Sequence, residues 1–101
     1  MNHKEFNAIY KAQVAQCTET LVTKAIEYAT EDRLHNFKVA ASLQGVTPKE
    51  ALAGMLAKHI VSIYDMVGKD HVPMPVWEEK IGDALNYLFL LKAVVVDEEA
   101  L

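Results

Sequence analysis

The stretch W77-E-E-K-I-G-D-A-L-N-Y-L-F-L-L91 decides the fold. Read as a helix it is apolar almost all the way round, yet Glu79, Asp83 and Asn86 fall at i, i+4 and i+7 and stack three polar groups in one stripe. An ionised Asp83 beside Ile81, Ala84, Leu85 and Leu88 loses several kcal/mol of solvation unless it is paired, hydrogen-bonded or metal-bound. The run therefore predicts both a core helix and a polar site on it.

Working outward, this helix 4 is predicted from about residue 75 to about residue 97, after a loop, KDHVPM, set by Pro73 and Pro75. Asp97, Glu98 and Glu99 stand at the unfavourable end of its dipole, so fraying is expected there. Thr47-Pro48-Lys49-Glu50 reads as a capping box with proline in the first helical position. It opens helix 3, whose face is Leu52, Met55, Leu56, His59, Ile60, Ile63 and Val67, and Gly68 closes it. A shorter helix 2 spans residues 33–43 and stops at Gly45, a natural left-handed cap. Phe6, Tyr10, Val14, Cys17, Leu21, Ala25 and Tyr28 recur every three or four positions and predict one long amphipathic helix from about residue 2 to about residue 30. With no alternating strand pattern, repeat or glycine-rich loop, the expectation is an all-α domain over residues 1–101: a small four-helix bundle of three long helices and one short.

Composition bounds what such a bundle does. A net charge of −4 with no basic run argues against nucleic-acid binding. One cysteine, Cys17, excludes an internal disulfide framework and multi-cysteine zinc sites. No apolar signal-peptide core or bilayer-length apolar run is present, so no membrane association and a cytoplasmic location are expected. A hydrophobic fraction of 51% in 101 residues exceeds what so small a body buries, which predicts an oligomer, and Leu85, Leu88, Phe89, Leu91, Val94, Val95 and Val96 cover too much of helix 4 for one neighbour to hide.

Helix 1 carries Thr20, Lys24, Glu27 and Glu31 as a polar stripe, and the Glu27/Glu31 spacing repeats that of Glu79 and Asp83. Two carboxylate pairs on two helices suit Mg²⁺, with positions left for water and substrate phosphate. Glu27 and Glu31 read equally as a solvated helix face, and Asp83 as the partner of Lys58 or Arg33. Lys58 on helix 3 is a candidate phosphate contact, while His35 and Asn36 beside Arg33 either contact a base or phosphate or anchor a turn. His59 and Cys17 read as core residues, and Met55, Met66 and Met74 as packing.

The combination KAIEYATEDRLHNF, MLAKHIVSIYDM and WEEKIGDALNYLFLL, from Lys24 to Val96, resembles the MazG-like all-α nucleotide pyrophosphohydrolase superfamily, especially its compact phage and prophage branch of the nucleotide-modification-associated type. The resemblance implies a homodimer or homotetramer, in the host cytoplasm if phage-encoded. It also implies that Mg²⁺, with Mn²⁺ as substitute, is held by acidic residues of two helices against a nucleoside triphosphate cleaved to monophosphate and pyrophosphate. Carried over, Glu27, Glu31, Glu79 and Asp83 are the metal residues, Glu27 and Asp83 the catalytic ones, and Lys58, Arg33, Asn36 and Asn86 the substrate contacts. The family runs Glu-Glu-x-x-Glu and Glu-x-x-Asp; here the pairs are Glu27-x-x-x-Glu31 and Glu79-x-x-x-Asp83, with Asn86 where another acid might stand. The lower site charge leaves a second expectation, a catalytically degenerate bundle that binds a nucleotide or a protein.

Overall fold

The computed structural model describes residues 1–23, 25 and 31–100. Four α-helices follow one another, α1 (His3–Thr18), α2 (His35–Gln44), α3 (Pro48–Val67) and α4 (Met74–Glu99), with no strand among the described residues. α3 packs along α4, α2 lies against α3, and α1 lies against α4.

The helix starts follow local chemistry. Asn2 caps α1 by accepting from the Glu5 amide at 2.8 Å. Thr47 and Glu50 form the reciprocal capping box: the Glu50 amide donates to Thr47 Oγ1 at 3.3 Å, and the Thr47 amide donates to Glu50 Oε1 at 3.2 Å. The Thr47 hydroxyl also donates to Glu50 Oε1 at 2.9 Å, and this bond, with that from the Thr47 amide, lowers the pKa of the exposed Glu50 carboxyl from its ordinary value. α2 begins where Asp32 accepts from the Leu34 amide at 3.0 Å, and ends at Gly45, whose φ of 68° and ψ of 34° favour glycine. The Val46 amide then donates to Ala41 O at 2.9 Å and closes the cap.

The single long first helix is corrected. Regular α-geometry ends at Thr18, and Glu19–Thr23 continues as a π-helical run. Thr18, Thr20, Val22 and Thr23 crowd β-branched side chains into this region, and Thr18 Oγ1 donates to Val14 O at 3.0 Å, both of which weaken the α-ladder. The predicted continuation through Lys24 and residues 26–30 lies outside the described residues.

The main core lies between α2, α3 and the C-terminal half of α4: Leu34, Phe37, Leu52 and Val94 are buried, with Met55, Tyr87, Leu90 and Leu91 packed on them. Phe37 meets Tyr87 edge-on at 6.4 Å. The expected stripes need correction at their edges. On α3, Met66 is buried while Ile60 and Val67 are exposed, as is Met74 at the start of α4. On α1 only Cys17 is buried; Phe6, Tyr10 and Val14 face outward. The far end of α4 stays helical through Glu99 because cations offset its acids: Lys38 reaches Asp97 at 3.4 Å as well as Asp32 at 2.7 Å, and Lys49 reaches Glu98 at 2.9 Å.

Candidate functional site

α4 presents Glu79, Asp83 and Asn86 on one face, and Gly82 sits within the same stripe. The glycine lets α1 come close: a Cβ at position 82 would stand 3.1 Å from Gln13 Nε2 and 3.8 Å from Gln16 Nε2. At this crossing the Cys17 thiol points at the Gly82 carbonyl, with Sγ 3.9 Å from the oxygen, and Gln13 Nε2 lies 3.8 Å from the sulfur. Just beyond it the helices part around a cleft of about 80 Å³, lined by Gln16, Cys17 and Thr20 on one side and Glu79, Gly82, Asp83 and Asn86 on the other. Thr20 belongs to the π-helical run, whose altered winding sets where its side chain stands.

Asn86 is the feature that asks for an explanation. It is 7% exposed, and its Oδ1 is buried without a hydrogen-bond partner. A buried amide oxygen left unpaired costs about 1–3 kcal/mol. Outside the cleft lining, His59 Nδ1 lies 3.7 Å from Asp83 Oδ2, and the imidazole lies against the Tyr87 ring at 4.9 Å and 31°. The cleft lining thus brings together the Glu79 and Asp83 side chains, with Gln16, Thr20 and Asn86 as further polar residues. Among the described residues no three His, Cys, Asp or Glu side chains are grouped so as to hold a metal.

Of the residues singled out in the sequence, the structure brings Glu79, Asp83 and Asn86 together. It places Glu31, Arg33, Asn36 and Lys58 on the exposed surface and outside the lining of the cleft, and Glu27 lies outside the described residues. The expected partners of Asp83 are corrected: in place of Lys58 or Arg33 it faces His59, while Arg33 Nη2 donates to Leu21 O at 3.2 Å and ties the approach to α2 to the π-helical run. Gln16, Cys17, Gly82 and His59 were not read as site residues. The signal that points to them is Gly82, a residue costly in a helix interior unless another backbone or side chain needs its space.

No family model matches the chain, and it has no match among the curated proteins or the solved structures. No helix among the described residues is long and apolar enough to cross a membrane.

Proposed function

We propose that the cleft between α1 and α4 binds a divalent cation, Mg²⁺ with Mn²⁺ as substitute, and through it the phosphates of a nucleoside triphosphate, as a MazG-like nucleotide pyrophosphohydrolase would. The observation that carries this reading is that Asn86, whose Oδ1 is buried and unpaired, lines the same cleft as Glu79 and Asp83. A cation supplies the missing partner and relieves the repulsion between two carboxylates one helical turn apart. The residues fit such an ion in charge and donor type: two anionic oxygens and one amide oxygen leave positions for water and phosphate. When bound, the ion polarises a phosphoryl oxygen and lowers the barrier to attack by water.

The chain's own groups have separate tasks. In this reading Asp83 and Glu79, both in the cleft lining, hold the ion, and Asp83 orients a water by accepting a hydrogen bond from it. His59, packed on Tyr87, limits where the Asp83 carboxylate can turn. At about 80 Å³ the cleft admits an ion and a phosphate group and leaves the nucleoside outside it. The assay is hydrolysis of a panel of canonical and modified nucleoside triphosphates with Mg²⁺. Release of pyrophosphate from at least one supports the reading, and orthophosphate as the sole inorganic product contradicts it. The second reading, a binding module without turnover, is favoured by Asn86 holding the place on the stripe where another acid would stand. It predicts thermal stabilisation by nucleotide and Mg²⁺ with no product formed.

A further inference from the structure

One wall of the cleft is α1 with the start of the π-helical run, and the other is α4. Yet α1 contributes nothing to the core. The buried cluster of Leu34, Phe37, Leu52 and Val94, with the side chains packed on it, is supplied by α2, the residue before it, α3 and α4. The body formed by these three helices has its apolar support without α1.

The attachment of α1 to that body is slight. Of its sixteen residues Cys17 alone is buried, Gln13 is half-buried, and the rest are exposed. Among the described residues one hydrogen bond runs from α1 to the body, from the Cys17 thiol to the Gly82 carbonyl at 3.9 Å, and no ion pair joins them. By contrast, α2 and α3 are each tied to α4 by a lysine, Lys38 to Asp97 and Lys49 to Glu98. At the crossing Gln13 and Gln16 lie over Gly82, so amide groups meet bare backbone where apolar side chains would otherwise interlock. A helix held by so few buried apolar contacts separates at a cost far below that of global unfolding. The winding marks where such a movement ends. Regular α-geometry stops at Thr18, and the Arg33 bond to Leu21 O ties the π-helical run to the approach to α2, so the pivot falls between Thr18 and Leu21.

We infer that α1 is a lid: His3–Thr18 lifts from α4 as one unit while α2, α3 and α4 stay folded, and the movement lays open the Glu79, Asp83 and Asn86 wall of the cleft. Closed, the cleft of about 80 Å³ has room for an ion and one phosphate group. Lifting α1 admits and releases ligands that do not pass through that space. It uncovers a buried residue on each wall, Cys17 on the lid and Asn86 beneath it.

The opening is independent of what the cleft binds, and its test needs no ligand. Cys17 is the chain's one cysteine and is buried at the crossing, so its reaction with dithionitrobenzoate counts openings. In the native full chain in EDTA, labelling should run about 100-fold or more faster than global unfolding permits, and should respond little to low denaturant. Labelling that follows global unfolding in rate and denaturant dependence overturns the inference. Hydrogen exchange read by mass spectrometry needs no thiol. A helix of this length is marginal in isolation, so once lifted its amides should exchange together, while those of α3 wait for global unfolding. Amides of α1 protected as strongly as those of α3 overturn the inference, whether the body or a second copy of the chain covers the helix. The double variant Cys17→Ser with Asn86→Cys moves the thiol to the facing wall, where labelling should stay within about tenfold of the wild-type rate. A thiol at position 86 that reacts only on global unfolding overturns the role of α1 as the lid of this cleft.

Discussion

Replacing Asn86 by leucine should stabilise the metal-free protein. In the wild type the Oδ1 is buried and unpaired, a penalty of about 1–3 kcal/mol that an apolar side chain of similar reach does not carry. The larger leucine has room, since position 86 borders a cleft of about 80 Å³, so overpacking does not offset the gain. The expected net effect is about 1–2 kcal/mol, which in a domain of about 100 residues raises Tm by about 5–10 °C. Thermal unfolding followed by circular dichroism in EDTA reads this directly. The same variant should lose the rise in Tm that Mn²⁺ gives the wild type, so the order of stability reverses as metal is added. A metal-free Asn86→Leu that melts at or below the wild type would refute the reasoning, because it would mean that the amide is satisfied in solution and asks for no ligand.

Asp83→Asn should leave the metal-free fold within about 1 kcal/mol of wild type, because its pair with His59 is long and partly exposed, while abolishing the Mn²⁺ shift. A loss nearer 3 kcal/mol in a chemical denaturation curve would instead mark a structural ion pair. Gly82→Ala should gain up to about 1 kcal/mol of helix stability, since the new methyl displaces only the movable amide ends of Gln13 and Gln16, and should weaken binding in the narrowed cleft; destabilisation would show that Gln13 cannot give way. Asp32 is held below its ordinary 3.8 by the Lys38 ammonium and the Leu34 amide. A lowered folded-state value means stability present above that ordinary pKa and lost as pH falls through the lower one, so Asp32→Asn should flatten the acid side of a Tm–pH curve taken below about pH 4, and an unchanged slope would remove Asp32 from the account.

The parts of this molecule legible in the sequence are those written in short-range chemistry. The Thr47/Glu50 box, the left-handed Gly45 and the 79/83/86 stripe each depend on neighbours within one or two helical turns, and each stands where its spacing put it. The end of α1 was not legible because apolar periodicity continues past Thr18 while the backbone winding changes, and a three-to-four-residue repeat does not separate α- from π-winding. Half of the cleft escaped for a different reason. Gln16 and Cys17 carry no chemistry that distinguishes them from filler, and they matter only because Gly82, sixty-five residues from Cys17, opens the space between them and α4. The partner of Asp83 was sought among full cations, yet a helix pair brings His59 to it, a contact set by the register of α3 on α4 that no local pattern encodes.

The central claim is that Glu79, Asp83 and Asn86 hold one cation, and Mn²⁺ titration followed by electron paramagnetic resonance tests it most directly. With a nucleoside triphosphate analogue present and corrected for the metal that the analogue binds alone, the wild type should remove about one Mn²⁺ per chain from the free signal, and the Glu79→Gln, Asp83→Asn double variant should remove none. Equal uptake by both proteins, or none by either, would contradict it.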